Sequence, residues 1–110
     1  MNRIRPVSKK RASQAAARDA CRLEVLSRDR RCRGHGIAPV DCAVTASEVH
    51  ELGRGAYRQS CWLNPQLCIG LCRNCHRWVT EHPTAAKELG LAMAGWEVEQ
   101  FLAAAGEACH

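Results

Sequence analysis

The sequence predicts a small α+β domain stapled by metal rather than held by a large core. The chain has 110 residues but only three Trp, one Tyr and one Phe. A domain that short buries a thin core and ordinarily needs a staple. Eight cysteines are available. Two of them stand in Cys72-Arg73-Asn74-Cys75-His76, a spacing from which two thiolates grip one zinc across a tight turn. Around them, stretches of helical periodicity alternate with two short β-like runs.

Taken in order, residues 1–8 read as an extended opening, because Pro6 breaks any early helix. From Lys9 to Arg31 the pattern predicts one helix. Ala12, Ala16, Ala20, Leu23 and Leu26 fall on a single face, and arginines cover much of the remainder. Residues 32–44 read as loop, with Gly34, Gly36, Pro39 and two cysteines. Thr45 to Leu52 alternates loosely about Val49 and suits a short strand. Gly53 to Arg58 reads as a loop, and Ile69-Gly70-Leu71 as a second strand. Arg73 to Glu81 suits a helix that Pro83 ends. Thr84 can cap another helix that Gly90 closes. A last helix, Glu97 to Ala105, puts Val98, Phe101, Leu102 and Ala105 on one face. The chain thus divides into a basic arm and helix (1–31), a central module (32–82) and a helical tail (83–110).

Charge is distributed unevenly. Residues 1–33 carry a net +8 and residues 34–110 a net −3, which leaves the chain at +5. A basic arm on a near-neutral body is the electrostatic footprint of nucleic-acid binding. A solvated, charged helix is the plainer reading.

Met1 to Arg11 contains no apolar stretch of the kind a secretory start requires. No run approaches the ~20 apolar residues of a membrane span. The expected setting is therefore the cytoplasm with no membrane partner, where thiols stay reduced and clustered cysteines bind metal more often than they pair.

Tetrahedral zinc needs two ligands besides Cys72 and Cys75. Cys32 and Cys42 are the preferred pair, because the turn-rich segment between them can fold back. His35 competes, since Cys32-x-x-His35 also has ligand spacing. Three other uses of Cys72-x-x-Cys75-His76 compete with a zinc site that carries chemistry. Haem attachment implies export, and a redox pair wants a βαβ context that is absent. A zinc ribbon without chemistry is the serious alternative. Cys21, Cys61, Cys68 and Cys109 lack ligand spacing and read as small buried residues or free thiols.

Several segments together resemble HNH endonucleases, in particular the small versions found in phages of actinobacteria. They are Val49-His50-Glu51-Leu52, Gly53-Arg54-Gly55, Trp62-Leu63-Asn64-Pro65 and Leu71-Cys72-Arg73-Asn74-Cys75-His76-Arg77-Trp78-Val79. Ile4-Arg5-Pro6-Val7-Ser8 and Glu88-Leu89-Gly90-Leu91 extend the likeness over roughly residues 5–91. Leu-Cys-x-x-Cys-His is its most specific part. The resemblance implies a ββα-metal, treble-clef-like fold with flanking helices and structural zinc. Two strands and a helix would bring two histidines to one catalytic divalent ion (Mg²⁺, Mn²⁺, Ni²⁺ or Zn²⁺). It implies a DNA endonuclease acting in phage genome processing or packaging, beside a terminase. A zinc module that binds DNA or a phage protein without cutting is the alternative.

On that resemblance His50 is assigned as general base and His76 as metal ligand, with Glu51 as a further metal ligand. The other alignment makes His50 the ligand and Glu51 the base. Neighbours in a strand point to opposite faces, so both residues reach one ion only at a bulge or strand end. The family's middle Asn falls at Leu67 here; Asn64 and Gln66 are the residues that can replace it. Arg54, Arg58, Arg73, Arg77, Lys9, Lys10 and Arg11 are candidate phosphate contacts, which position DNA without reading its sequence. Trp62 and Trp78 are expected in the core. His82 is expected to cap a helix or face solvent, and His110 has no assigned role.

Overall fold

The computed structural model describes the backbone of residues 9–108 and the side chains of residues 12–105. In order it forms α1 (Lys9–Arg28), β1 (Glu48–Glu51), α2 (Arg58–Trp62), β2 (Cys68–Leu71), α3 (Arg73–Glu81), α4 (Pro83–Glu88) and α5 (Gly95–Ala108). Single 3-10 turns lie at Gly55–Tyr57 and Pro65–Leu67. No helix among the described residues is long and apolar enough to cross a membrane.

The two strands pair antiparallel, with Glu48 opposite Leu71, Val49 opposite Gly70, His50 opposite Ile69 and Glu51 opposite Cys68. Side chains alternate across a strand, so the register sorts the residues. One face carries Glu48, His50, Ile69 and Leu71. Ile69 and Leu71 pack there into the main core with Cys72, Cys75, Val79, Ala86 and Leu91. The other face carries Val49, Glu51, Cys68 and Gly70. Val49 and Cys68 meet Cys21 and Val25 of α1 there. Because both faces are covered, all four residues of β2 are buried. A third cluster joins Cys61 and Leu67 to Val98 of α5.

α1 buries a different face from the one its alanines predict. Ala12, Ala16 and Ala20 are exposed, and Leu23 is 71% exposed. The buried stripe runs through Cys21, Val25 and Asp29. Alanine methyls gain little from burial, whereas this rotation puts Val25 in the core and Asp29 against the sheet. Asp29 also shortens the helix from the expected Arg31 to Arg28. Its carboxylate accepts the Gly70 N–H at 3.0 Å and pairs with Arg28 at 2.8 Å. These partners hold its pKa below the usual carboxylate range even though burial acts the other way. A Cβ at Gly70 would lie 2.9 Å from the Asp29 Cβ, so this close approach of helix and strand requires glycine there.

Other boundaries shift as well. The first strand spans Glu48–Glu51 rather than Thr45 to Leu52; Thr45 instead forms an isolated bridge with Arg31. The expected Gly53–Arg58 loop contains a 3-10 turn and leads into α2, a helix too short to leave a periodic signal in the sequence. Thr84 does not cap α4; His82 holds the cap position and Pro83 the first turn, where a missing N–H leaves no bond unmade. The His82 side chain turns back to the end of α3, its Nδ1 lying 3.0 Å from the Trp78 carbonyl. The last helix starts two residues earlier and runs three residues further than expected.

Candidate metal centre and adjoining cleft

The sulphurs of Cys32, Cys42, Cys72 and Cys75 all lie within 4.8 Å of one another, a group able to hold a metal ion. A tetrahedral ion about 2.3 Å from each thiolate sets the sulphurs about 3.8 Å apart. Cys42 and Cys72 are separated by 3.8 Å. The donor set therefore fits the ion the sequence implies. His35 is exposed and stands outside the group.

Local chain chemistry prepares the four thiols. Cys72 caps α3 and accepts the Cys75 N–H at 3.4 Å. It also accepts the Ala43 N–H at 3.5 Å. Burial works against the thiolate, but these donors and the neighbouring thiols hold the Cys72 pKa down to about 6. Burial and the same thiol neighbours push Cys75 the other way, as expected where several protons are shared among adjacent sulphurs. Gly34 lets the Cys32 loop approach α3, because a Cβ there would stand 3.2 Å from the Cys75 Sγ. Asn74 fastens the Cys42 loop by donating to the Asp41 carbonyl at 2.8 Å. Val44 adopts a positive φ of 70°, a strained conformation for a β-branched residue. In it, Val44 donates to the Cys42 Sγ at 3.3 Å while its carbonyl accepts from the Cys32 N–H at 2.7 Å. One strained residue thus braces two of the four cysteines.

The histidines meet on the α3 side of the sheet. The rings of His50 and His76 are 5.2 Å apart at 64°. His76 presents Nδ1 to Glu48 Oε1 at 2.7 Å. A carboxylate held to one ring nitrogen fixes the tautomer and leaves the other nitrogen free as an acceptor. Glu48 is a site residue that the motif segments do not single out. Its one signal in the sequence is its place two residues before His50, hence on the same strand face. His50 is 7% exposed, and its Nε2 is buried without a partner. Burial first, then the charge of His76, lowers its pKa to about 4. An orphaned buried acceptor beside a tethered imidazole is a donor pair suited to a divalent cation. Among the described residues, however, the four thiols form the one group in which three or more such side chains already converge.

A cleft of about 360 Å³ opens at this pair, bounded by His50, Glu51, Arg54, Arg58, His76 and Thr80. Glu51 ends β1 and borders the cleft, while also pairing with Arg18 of α1 at 3.4 Å. The strand end thus lets both His50 and Glu51 reach one opening. Arg73 and Arg77 lie elsewhere, beside a shallower cleft on the far side of His76. Lys9, Lys10 and Arg11 begin α1, and their side chains are outside the described residues. The basic opening 1–8, Cys109 and His110 are outside them too.

Leu67 is fully buried in the core and does no polar work. Asn64 instead accepts the Gln66 N–H at 3.1 Å and caps the turn before β2. Cys21, Cys61 and Cys68 are buried thiols away from the cluster. Trp78 packs against the main core. Trp62 departs from expectation: it is half-buried, joins none of the core clusters and has the Arg18 guanidinium 4.2 Å over its ring. No protein-family model, curated protein or solved structure matches the chain.

Proposed function

We propose that this chain is a metal-dependent DNA endonuclease of the HNH type, built on a zinc-stapled ββα-metal module. The supporting observation is the neutral, buried His50 with an unpartnered Nε2, facing a His76 that Glu48 orients. Arg54 and Arg58 border the same opening, where a phosphodiester would need positive charge. The four-thiol cluster takes the structural zinc. The acidic balance of the body is compatible with DNA, because the basic arm and the arginines supply the attracting field.

His50 and His76 would hold the catalytic divalent ion. When bound, that ion supplies charge stabilisation to the phosphate and the leaving oxygen. We assign the proton-accepting role to Glu51, which reverses the order preferred from sequence. A base must stand within reach of the proton it takes. The unpartnered Nε2 of His50 is buried, which suits it to ligation, whereas the Glu51 carboxylate borders the open cleft. Arg58 and Arg54 would position the strand. Genome processing beside packaging proteins is the setting the family resemblance implies.

The test is nicking of supercoiled plasmid by zinc-loaded protein with Mg²⁺, Mn²⁺ or Ni²⁺. Wild type would convert plasmid to open circles. His76→Ala would lose both the activity and a weak divalent site. Glu51→Gln would lose about 10²- to 10⁴-fold in rate while still binding the ion. One observation favours a second reading, a zinc module that binds DNA without cutting: no third ligand already converges on the histidine pair among the described residues. Absence of nicking with every metal, from protein that retains its zinc, would establish that reading.

A further inference from the structure

A second cleft, of about 340 Å³, lies between α1, β1 and α2. It shares Glu51, Arg58 and His76 with the first, so the two clefts adjoin. Arg18 and Arg22 stand one helical turn apart and present their guanidinium groups to one side. Arg22 and Arg58 have no ion-pair partner among the described residues. Arg18 lies 4.2 Å over the Trp62 ring, and the indole Nε1–H is buried without an acceptor. A groove of guanidiniums beside an aromatic ring, with an arginine in cation–π contact, is the combination by which proteins hold a nucleic-acid strand. The glutamates of this cleft, Glu48 and Glu51, are engaged with His76 and Arg18, which leaves Arg22 and Arg58 to face an anion.

We propose that this cleft is a subsite for the nucleic-acid strand next to the phosphodiester held at His50 and His76. Arg22 and Arg58 grip its phosphate, and Trp62, with Arg18 over its ring, supports the neighbouring nucleotide. The proposal rests on the nuclease reading for what occupies the first cleft, but strand binding is measured separately from cutting. An acidic peptide would lack the planar base that the stacked guanidinium and indole can support.

The experiment is fluorescence anisotropy of a labelled DNA single strand, about a dozen nucleotides long, titrated with zinc-loaded full-length protein at several salt concentrations. Arg22→Ala touches no core residue and should weaken binding about tenfold. Its salt slope should be shallower by about 0.7 for each phosphate no longer neutralised. Arg22→Lys should recover most of the affinity, and Trp62→Leu should lose about tenfold with an unchanged slope. Arg30→Ala, an exposed arginine outside both clefts, should bind as wild type does. Wild-type affinity and slope in Arg22→Ala and Trp62→Leu would overturn the proposal, as would failure of the wild type to bind the strand. Strand binding that depends on Arg22 and Trp62 in a protein that never nicks plasmid would retire the nuclease reading and keep the subsite. Nicking with unaffected strand binding would do the reverse.

Discussion

His50 is neutral at ordinary pH because burial disfavours its charged form, and this makes the fold sensitive to acid. Its pKa falls from 6.5 to about 4 on folding. Between those values the unfolded chain binds a proton that the folded chain does not. Stability is therefore full above pH ~6.5 and declines as pH falls toward 4, by about 3 kcal/mol for this one group. Urea unfolding from pH 7 to pH 4.5 checks this, with His50→Gln as the reference. The thiol cluster titrates in both proteins, so the imidazole appears as the difference between them. Parallel curves would show that His50 is not held neutral. Glu48 acts through His76. Glu48→Gln should weaken the divalent site proposed at His50 and His76 about 10- to 100-fold, measured by metal titration, while the metal held by the four thiols stays bound. Val44 offers a third test. It is 41% exposed, so Val44→Gly loses little packing and relieves a strained φ. A gain of about 1 kcal/mol in urea unfolding is expected; a loss would mean the strain is absent.

At the level of elements, the junction of α1 with β2 is held by one buried carboxylate. Asp29 is 5% exposed and answers the Gly70 N–H and the Arg28 guanidinium together. Asp29→Ala would leave the Gly70 N–H buried and unpaired, a loss of about 2 kcal/mol. The midpoint of thermal unfolding should fall accordingly, while zinc content stays constant. Asp29→Asn, which keeps an acceptor, should lose less. This junction explains why α1 turns its alanines outward. It also sets Arg18 and Arg22 over α2, so the helix that shields one face of the sheet also supplies the arginine wall of the second cleft.

For the whole molecule, the four-thiol cluster joins the loop after α1 to the start of α3. A strong chelator should release about one zinc per chain and unfold the protein, because such a site contributes on the order of 10 kcal/mol. Metal analysis together with circular dichroism checks this. A chain that kept its helices and melting point after losing the metal would show that the apolar clusters suffice. Cys42→Ser should weaken zinc binding more than His35→Ala, since His35 is exposed and outside the group.

What the sequence determined by itself is the local chemistry. Cys72-x-x-Cys75 at a helix start, Pro83 after α3 and two short strands were readable, because they depend on spacing and turn residues; the turn-rich segment favoured Cys42 over His35 as partner of Cys32, and the folded cluster decided between them. His50 and His76 were legible as a pair from their motif segments. Tertiary structure decided which faces meet. The rotation of α1 depended on Asp29 finding Gly70, forty-one residues away, and alanine periodicity carries no such information. Glu48 became a partner of His76 through strand register and α3 packing. Trp62 left the core because Arg18 covers it from another helix. The lowered pKa of His50 likewise rests on burial, which depends on every element packed around the ring and on no single neighbour in the chain.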